Sequence, residues 1–241
     1  ILEGDYVRYH KLIMKVADYE GKCWKVIGSP MKFSQFAMPE SDFLSRPGEY
    51  TEEILGEAGQ RKEHGALKKE ALFSHIIRHG KEQDSRPLSG IRILDLTRFM
   101  AGPLGTEILE NLGAEVIKIE RMDQRSEFSR STEPTFGTTS AYFMAINSGK
   151  KDIGLNLNKE EHREIFLKLA AQCDVVADNF RPGVTEKLRI TYEDIRSYNP
   201  EIICSTVSGF GYTGAWRTRG CVDTVAQAMS GLMSLTGYEN G

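Results

Sequence analysis

From Arg86 to the C-terminus, short apolar runs alternate with longer segments of helical period, the pattern that a parallel sheet with crossover helices requires. The runs predict strands at Ile91–Leu96, Ala114–Ile119, Lys151–Leu157, Asp174–Asp178 and Ile202–Val207. Helices are predicted between them at Pro103–Leu112, Lys159–Gln172 and Tyr192–Ser197, with another from Asp223 to Leu235. Within Lys159–Gln172, Phe166, Leu169 and Ala170 recur at i, i+3 and i+4, so that face is expected to lie on the sheet. The expected fold class is therefore α/β, a Rossmann-like open parallel sheet with flanking helices. Such sheets bind ligands at the carboxyl ends of their strands, which supports a nucleotide-type ligand by analogy alone.

The rest of the chain reads differently. Residues 1–59 mix aromatic and polar positions, are broken by Pro30, Pro39 and Pro47, and close on a helical candidate at Thr51–Ala58. Residues 60–86 are rich in Lys, Glu, His and Gln, with one amphipathic patch at Leu72, Phe73, Ile76 and Ile77, and read as a linker carrying a helix. Residues 87–241 form the α/β part.

Net charge is −3, from 31 basic and 34 acidic side chains among 241 residues, so no global positive field would draw the chain to nucleic acid or an anionic membrane. Any bound anion must be held locally. No run of about 18 or more apolar residues, the length that would span a bilayer, is present in the sequence. Ile1-Leu2-Glu3-Gly4-Asp5 offers neither Met nor a signal-like stretch, and the expectation is a soluble chain and a fragment. Cys23, Cys173, Cys204 and Cys221 form no C-x-x-C pair, which suits reduced thiols in a cytoplasmic setting. His75 and His79 stand four apart without a third ligand, so no metal site is expected.

Several places could carry chemistry, each with a bland alternative. Gly102-Pro103 after the first strand either opens a helix N-terminus that could cradle phosphate or makes a tight turn. No G-x-G-x-x-G follows that strand, so nicotinamide chemistry is unsupported. Arg121 ends the second strand, as a phosphate contact or as part of a solvated charge cluster. Asn179-Phe180-Arg181-Pro182-Gly183 either stacks a base and holds a phosphate or forms an ordinary corner. Ser208-Gly209-Phe210-Gly211 makes a Gly-rich loop, and Met229 and Met233 suit core filling.

Taken in order, Leu94-Asp95-Leu96-Thr97, Ala101-Gly102-Pro103, Leu112 through Glu120, Asn179 through Gly183, Gly209-Phe210-Gly211 and Gln227 through Met233 resemble the successive motifs of family III CoA-transferases. That family includes formyl-CoA, carnitine and succinyl-CoA:dicarboxylate transferases and the 2-methylacyl-CoA racemases. A second resemblance covers the first 59 residues. Gly28-Ser29-Pro30, Phe33-Ser34 and Pro47 through Leu55 look like the family's closing segment, with Tyr50 where His is usual. The tail of one unit would then precede the head of another, as in a tandem protein.

The resemblance implies that coenzyme A, as a substrate and with no tightly bound cofactor, meets Met100, Ala101, Arg121, Leu155, Asn156, Leu157, Asn158, Asn179, Phe180, Arg181, Lys187, Gly220, Cys221, Val222 and Asp223. Met100 replaces a position often polar, and Met122-Asp123-Gln124 stands where a Gly-Asp turn is usual. The implied reaction transfers CoA between an acyl-CoA and a small carboxylic acid through an aspartyl intermediate. The implied assembly is a homodimer or an intrachain pseudo-dimer. The nucleophilic Asp is expected beyond Gly241, with Asp223 as runner-up, so the chain alone is expected to be inactive. Val222 stands where racemases carry the His of their two-base site, which disfavours racemisation. Two alternatives stay open: a non-catalytic CoA-binding scaffold, and a transferase/lyase of the dimethylsulfoniopropionate type.

Overall fold

The computed structural model describes residues 13–27, 44–58, 86–121, 127–137, 139–212 and 216–237. The predicted linker helix, the three histidines at 64, 75 and 79, the motif pieces within 28–34 and the Met122–Gln124 turn lie outside the described residues.

Five parallel strands form the centre: β3 (Arg92–Asp95), β4 (Glu115–Glu120), β7 (Lys151–Gly154), β8 (Val175–Asp178) and β9 (Ile203–Thr206). Their spatial order is β7-β4-β3-β8-β9, so the chain starts mid-sheet, moves outward to one edge, then returns and builds the other side. This is the doubly wound order, with its reversal between β3 and β8. Register pairs Leu94 with Ile117 and with Val176. Both faces of the sheet are covered at β3, β4, β7 and β8, which explains why these strands read as apolar runs, whereas β9 is exposed.

On one face Leu94, Ile117, Ile153 and Val176 join Phe166, Leu169 and Ala170 of α4 (Glu160–Ala170) in the main core, as the helical spacing predicts. Ile195 of α6 (Tyr192–Arg196) joins the same core. That helix starts on a reciprocal cap between Thr191 and Asp194, which satisfies two N–H groups at once. On the other face Ile93, Val116 and Ala177 pack with Leu109 of α2 (Ala101–Asn111).

The described part of the first 59 residues shares this structure. Strands β1 (Ile13–Ala17) and β2 (Cys23–Ile27) form an antiparallel hairpin whose Met14, Val16 and Val26 bury against Phe143 and Met144 of α3 (Ala141–Asn147). Helix α1 (Thr51–Ala58) sends Ile54 into the main core, and the amides of Gly48 and Tyr50 donate to Asp152 of β7. A short pair, β5 (Thr135–Phe136) and β6 (Thr139–Ser140), leads into α3. Arg130 joins the parts: its guanidinium pairs with Glu120 at 2.9 Å and Asp152 at 3.1 Å, donates to the Tyr19 hydroxyl, and lies over the Phe143 ring.

Three predicted elements need correction. The strand expected at Lys151–Leu157 leaves the sheet after Gly154: Leu155 still donates to Glu120, but the Asn156 amide turns away to His162 Nδ1 at 3.0 Å. The first crossover helix begins at Ala101, so Pro103 sits third in the helix, still inside the first turn where no N–H is required of it. The helix expected from Asp223 to Leu235 stops after Met229 as α7 (Asp223–Met229). Gly231, at φ 82°, breaks it, and a single 3-10 turn follows at Leu232–Leu235.

Candidate functional site

The loops leaving β3 and β8 lead to helices on opposite faces of the sheet, the arrangement that in open α/β sheets makes the carboxyl ends of the strands the candidate ligand crevice. One side chain stitches its two walls. The Asn179 amide, just after β8, accepts from the Arg98 N–H at 2.8 Å and donates to the Arg98 carbonyl at 2.6 Å. Arg98 in turn donates through Nε to the buried Glu127 at 3.2 Å, whose other oxygen accepts from the Phe99 N–H at 3.3 Å. Burial would raise the Glu127 carboxyl, but Lys118, Ser129 and Arg98 hold it below its ordinary value. Between these anchors Phe99 adopts φ 63°, a left-handed conformation uncommon for an aromatic residue. Phe99 and Met100 are both exposed at the mouth of the crevice, with Phe128 beside Phe99 at 6.4 Å between ring centroids.

Beneath the loop lies a buried polar cluster. Asp95, at the end of β3, accepts from the Thr97 amide, from Thr106 Oγ1 at 2.7 Å and from Lys150 Nζ at 3.0 Å. Lys118 Nζ, equally buried, donates to the Thr97 carbonyl at 2.9 Å. Burial alone would raise the Asp95 carboxyl; Lys150 and Lys118 outweigh it and hold the group at about 2. Gly102 packs against Thr97 so closely that an added Cβ would lie 2.4 Å from the Thr97 Cβ.

The structure brings several of the residues predicted to bind together and sets others back. Met100 occupies the N-cap position of α2 without a side-chain cap, and Ala101 is the exposed first residue of that helix. Asn179 faces the crevice wall, but its side chain is committed to the Arg98 backbone. Phe180 packs partly against the main core. Arg181 is exposed, and its guanidinium reaches Gly220, where a Cβ would lie 2.7 Å from Nη2. Gly209 of the Gly-rich loop likewise abuts Cys221, so residues 209, 220 and 221 converge beside Arg181.

Lys187 is exposed on α5 (Val184–Leu188), and Arg121 follows β4 directly, half-buried. Leu155 and Leu157 turn into the core, leaving the backbone and the Asn156 and Asn158 side chains for any ligand; Asn156 already accepts from the Asn158 amide. Val222 is exposed, and Asp223 opens α7 with its carboxylate bonded to Gln227. Asp223 lies close enough to Tyr142 to help raise that hydroxyl, after burial and Glu127. Among the described residues no His, Cys, Asp and Glu cluster could hold a metal ion, and no helix is long and apolar enough to cross a membrane.

Arg98, Glu127 and Lys150 are not singled out from the sequence, and Asp95 and Lys118 enter there only as members of motifs, with no role of their own. The available signal was charge inside apolar runs: Asp95, Lys118 and Lys150 each lie within or beside a strand that reads as buried.

Residues 88–241 match the family model for CoA-transferase family III. The chain is 44% identical over 155 residues to an acetyl-CoA:oxalate CoA-transferase of Acetobacter aceti, covering 64% of this chain and 40% of that protein. It is 44% identical over 156 residues to the succinyl-CoA:glutarate CoA-transferase of Homo sapiens, covering 65% and 36%. Among solved structures, a CAIB/BAIF family protein from Brucella suis superposes with a TM-score of 0.61 at 36% identity, over 66% of this chain and 43% of that one. The chain therefore spans well under half the length of these relatives.

Proposed function

The chain belongs to CoA-transferase family III, and on that premise we propose that the complete protein moves coenzyme A between an acyl-CoA thioester and a carboxylic acid, with this chain supplying the CoA cradle. The observation that carries the reading is the convergence of Arg181, Gly220 and Cys221 beside a crevice whose walls Asn179 ties to Arg98. The glycines let residues 209 and 220 close against Cys221 and the Arg181 side chain, and the exposed guanidinium suits a phosphate. Asn179 serves here as a brace for the loop that carries Met100 and Ala101, and only its backbone and the neighbouring Arg181 remain to meet the ligand.

The proposed chemistry needs no metal. An enzyme carboxylate attacks the donor thioester carbonyl and CoA thiolate leaves, giving a mixed anhydride. The thiolate then attacks the enzyme's acyl carbon, expelling the donor acid and leaving an enzyme thioester. The acceptor carboxylate attacks that thioester, releases CoA thiolate and forms a second mixed anhydride. Thiolate attack on the acceptor's acyl carbon regenerates the enzyme carboxylate. We assign this nucleophile to an aspartate outside the 241 residues rather than to Asp223, because Asp223 is bonded to Gln227 on an open helix end, where its charge complements the helix dipole.

The test uses the complete protein, a labelled acyl-CoA and a panel of carboxylates, following CoA exchange and hydroxylamine trapping of an enzyme adduct. Exchange is expected, with an Arg181→Ala variant losing CoA affinity about tenfold or more, the size of a charge-assisted contact. Absence of exchange with every acid, alongside CoA binding, would favour the scaffold reading. An adduct abolished by Asp223→Ala would move the nucleophile into this chain.

A further inference from the structure

Lys150 is 1% exposed, yet its Nζ lies within hydrogen-bond distance of four acceptors: Asp95 Oδ2 at 3.0 Å, the Pro103 carbonyl at 2.8 Å, Thr106 Oγ1 at 2.8 Å and Asn147 Oδ1 at 3.0 Å. These belong to three different elements. Asp95 ends β3, Pro103 and Thr106 are in the first half of α2, and Asn147 ends α3. A structural counter-ion for Asp95 would need only one of them. The remaining contacts hold the start of α2 down on the strand end from which the crevice loop leaves.

We propose that Lys150 is a positioning residue for coenzyme A: it fixes the first turn of α2 against β3 and so sets the backbone of residues 97–101 that faces the crevice. The inference rests on the CoA reading above. It assigns to a residue that cannot touch the ligand the task of shaping the surface that does.

The geometry has a consequence with pH. The charged groups facing Lys150 are Asp95 on β3, Lys118 on β4 and Glu107 on α2; Asn147 on α3 is neutral. Burial pushes the ammonium down to about 8, against the pull of Asp95 and with the push of Lys118. An ammonium offers three N–H groups to the four acceptors, but the neutral amine offers two and turns a lone pair toward one of them. The grip on α2 therefore loosens above about pH 8, in a range where CoA's phosphates are already ionised.

The experiment is calorimetric titration of the complete protein with coenzyme A from about pH 7 to about pH 9.5, with amide exchange of residues 97–104 corrected for intrinsic rate. The wild type should weaken about threefold to tenfold across that range, with matching loss of protection in the loop. Lys150→Met should bind about tenfold more weakly at neutral pH and show no further decline. If Lys150→Met fails to fold, Thr106→Val keeps the charge pair and removes one acceptor; it should weaken binding about threefold and speed exchange at residues 101–104. Absence of CoA binding by the wild type at every pH would remove the functional reading itself. Binding that is indifferent to pH and to both substitutions, with unchanged exchange, would leave that reading standing and overturn the role of Lys150.

Discussion

Gly102 shows how little room the crevice loop has. Thr97, which a Cβ at 102 would strike, is 2% exposed and has its hydroxyl bonded to Asp95. Its β-branched side chain is stiff at χ1 and tied through its hydroxyl, so it cannot swing aside without breaking that bond. Gly102→Ala should therefore destabilise the fold by about 1–3 kcal/mol, read as a lower urea midpoint at unchanged slope. Gly105, in the same helix, has nothing within 4 Å of an added Cβ and is the matched control: Gly105→Ala should leave the midpoint unchanged or raise it. A Gly102→Ala midpoint that stays unchanged or rises, as expected at Gly105, would mean that helix propensity, not contact with Thr97, governs the site.

The elements differ in how much of themselves they reveal. Strands β3, β4 and β8 were legible because burial on both faces leaves an unbroken apolar run, and α4 because its apolar stripe keeps a strict helical period. The hairpin was not, since Ile13–Ala17 and Cys23–Ile27 each carry a lysine and depend for their burial on Phe143 and Met144, over 100 residues away. Helix α3 was hidden for the same reason. The site's motifs were readable as a succession, but the partners of Asp95 were not: Lys150 stands 55 positions on, and only the sheet order brings it back.

The joint between α1's approach segment and β7 carries its own pH signature. Two carboxyls, Glu120 and Asp152, share the Arg130 guanidinium in a buried setting. Burial, and then the charge of Glu120, raise the Asp152 carboxyl well above its ordinary value, against Arg130 and the Gly48 amide. The folded chain thus keeps a proton that the unfolded chain releases above about pH 4. Stability contributed here is fully present below the unfolded value near pH 4 and is lost as pH rises from there through the raised folded value. The midpoint difference between wild type and Asp152→Asn, which cannot titrate, should shift in the variant's favour as pH rises from about 5 toward neutrality. A difference constant in pH would show that Asp152 is ionised throughout.

At the scale of the molecule, one side of the fold is closed and the other is open. The edge strand β7 is covered by residues 48–54, whereas β9, the opposite edge, is exposed along its length and, among the described residues, pairs only with β8. Ile203, Val207, Val222, Leu232 and Leu235 are between 47% and 83% exposed, and together they give the C-terminal third an apolar surface that a lone soluble domain rarely shows. An unpaired strand edge beside such a surface is a template for another chain. The 241-residue chain should therefore associate: its weight-average sedimentation coefficient should rise with concentration over about 1–100 μM, the range in which modest apolar interfaces assemble. Ile203→Lys, which places a charge on the edge, should return it toward a monomer without lowering the urea midpoint, because that side chain faces out of the core. A wild type that sediments as a monomer throughout would mean that the apolar positions are too dispersed to form one surface. Association undiminished by Ile203→Lys would place the contact away from β9.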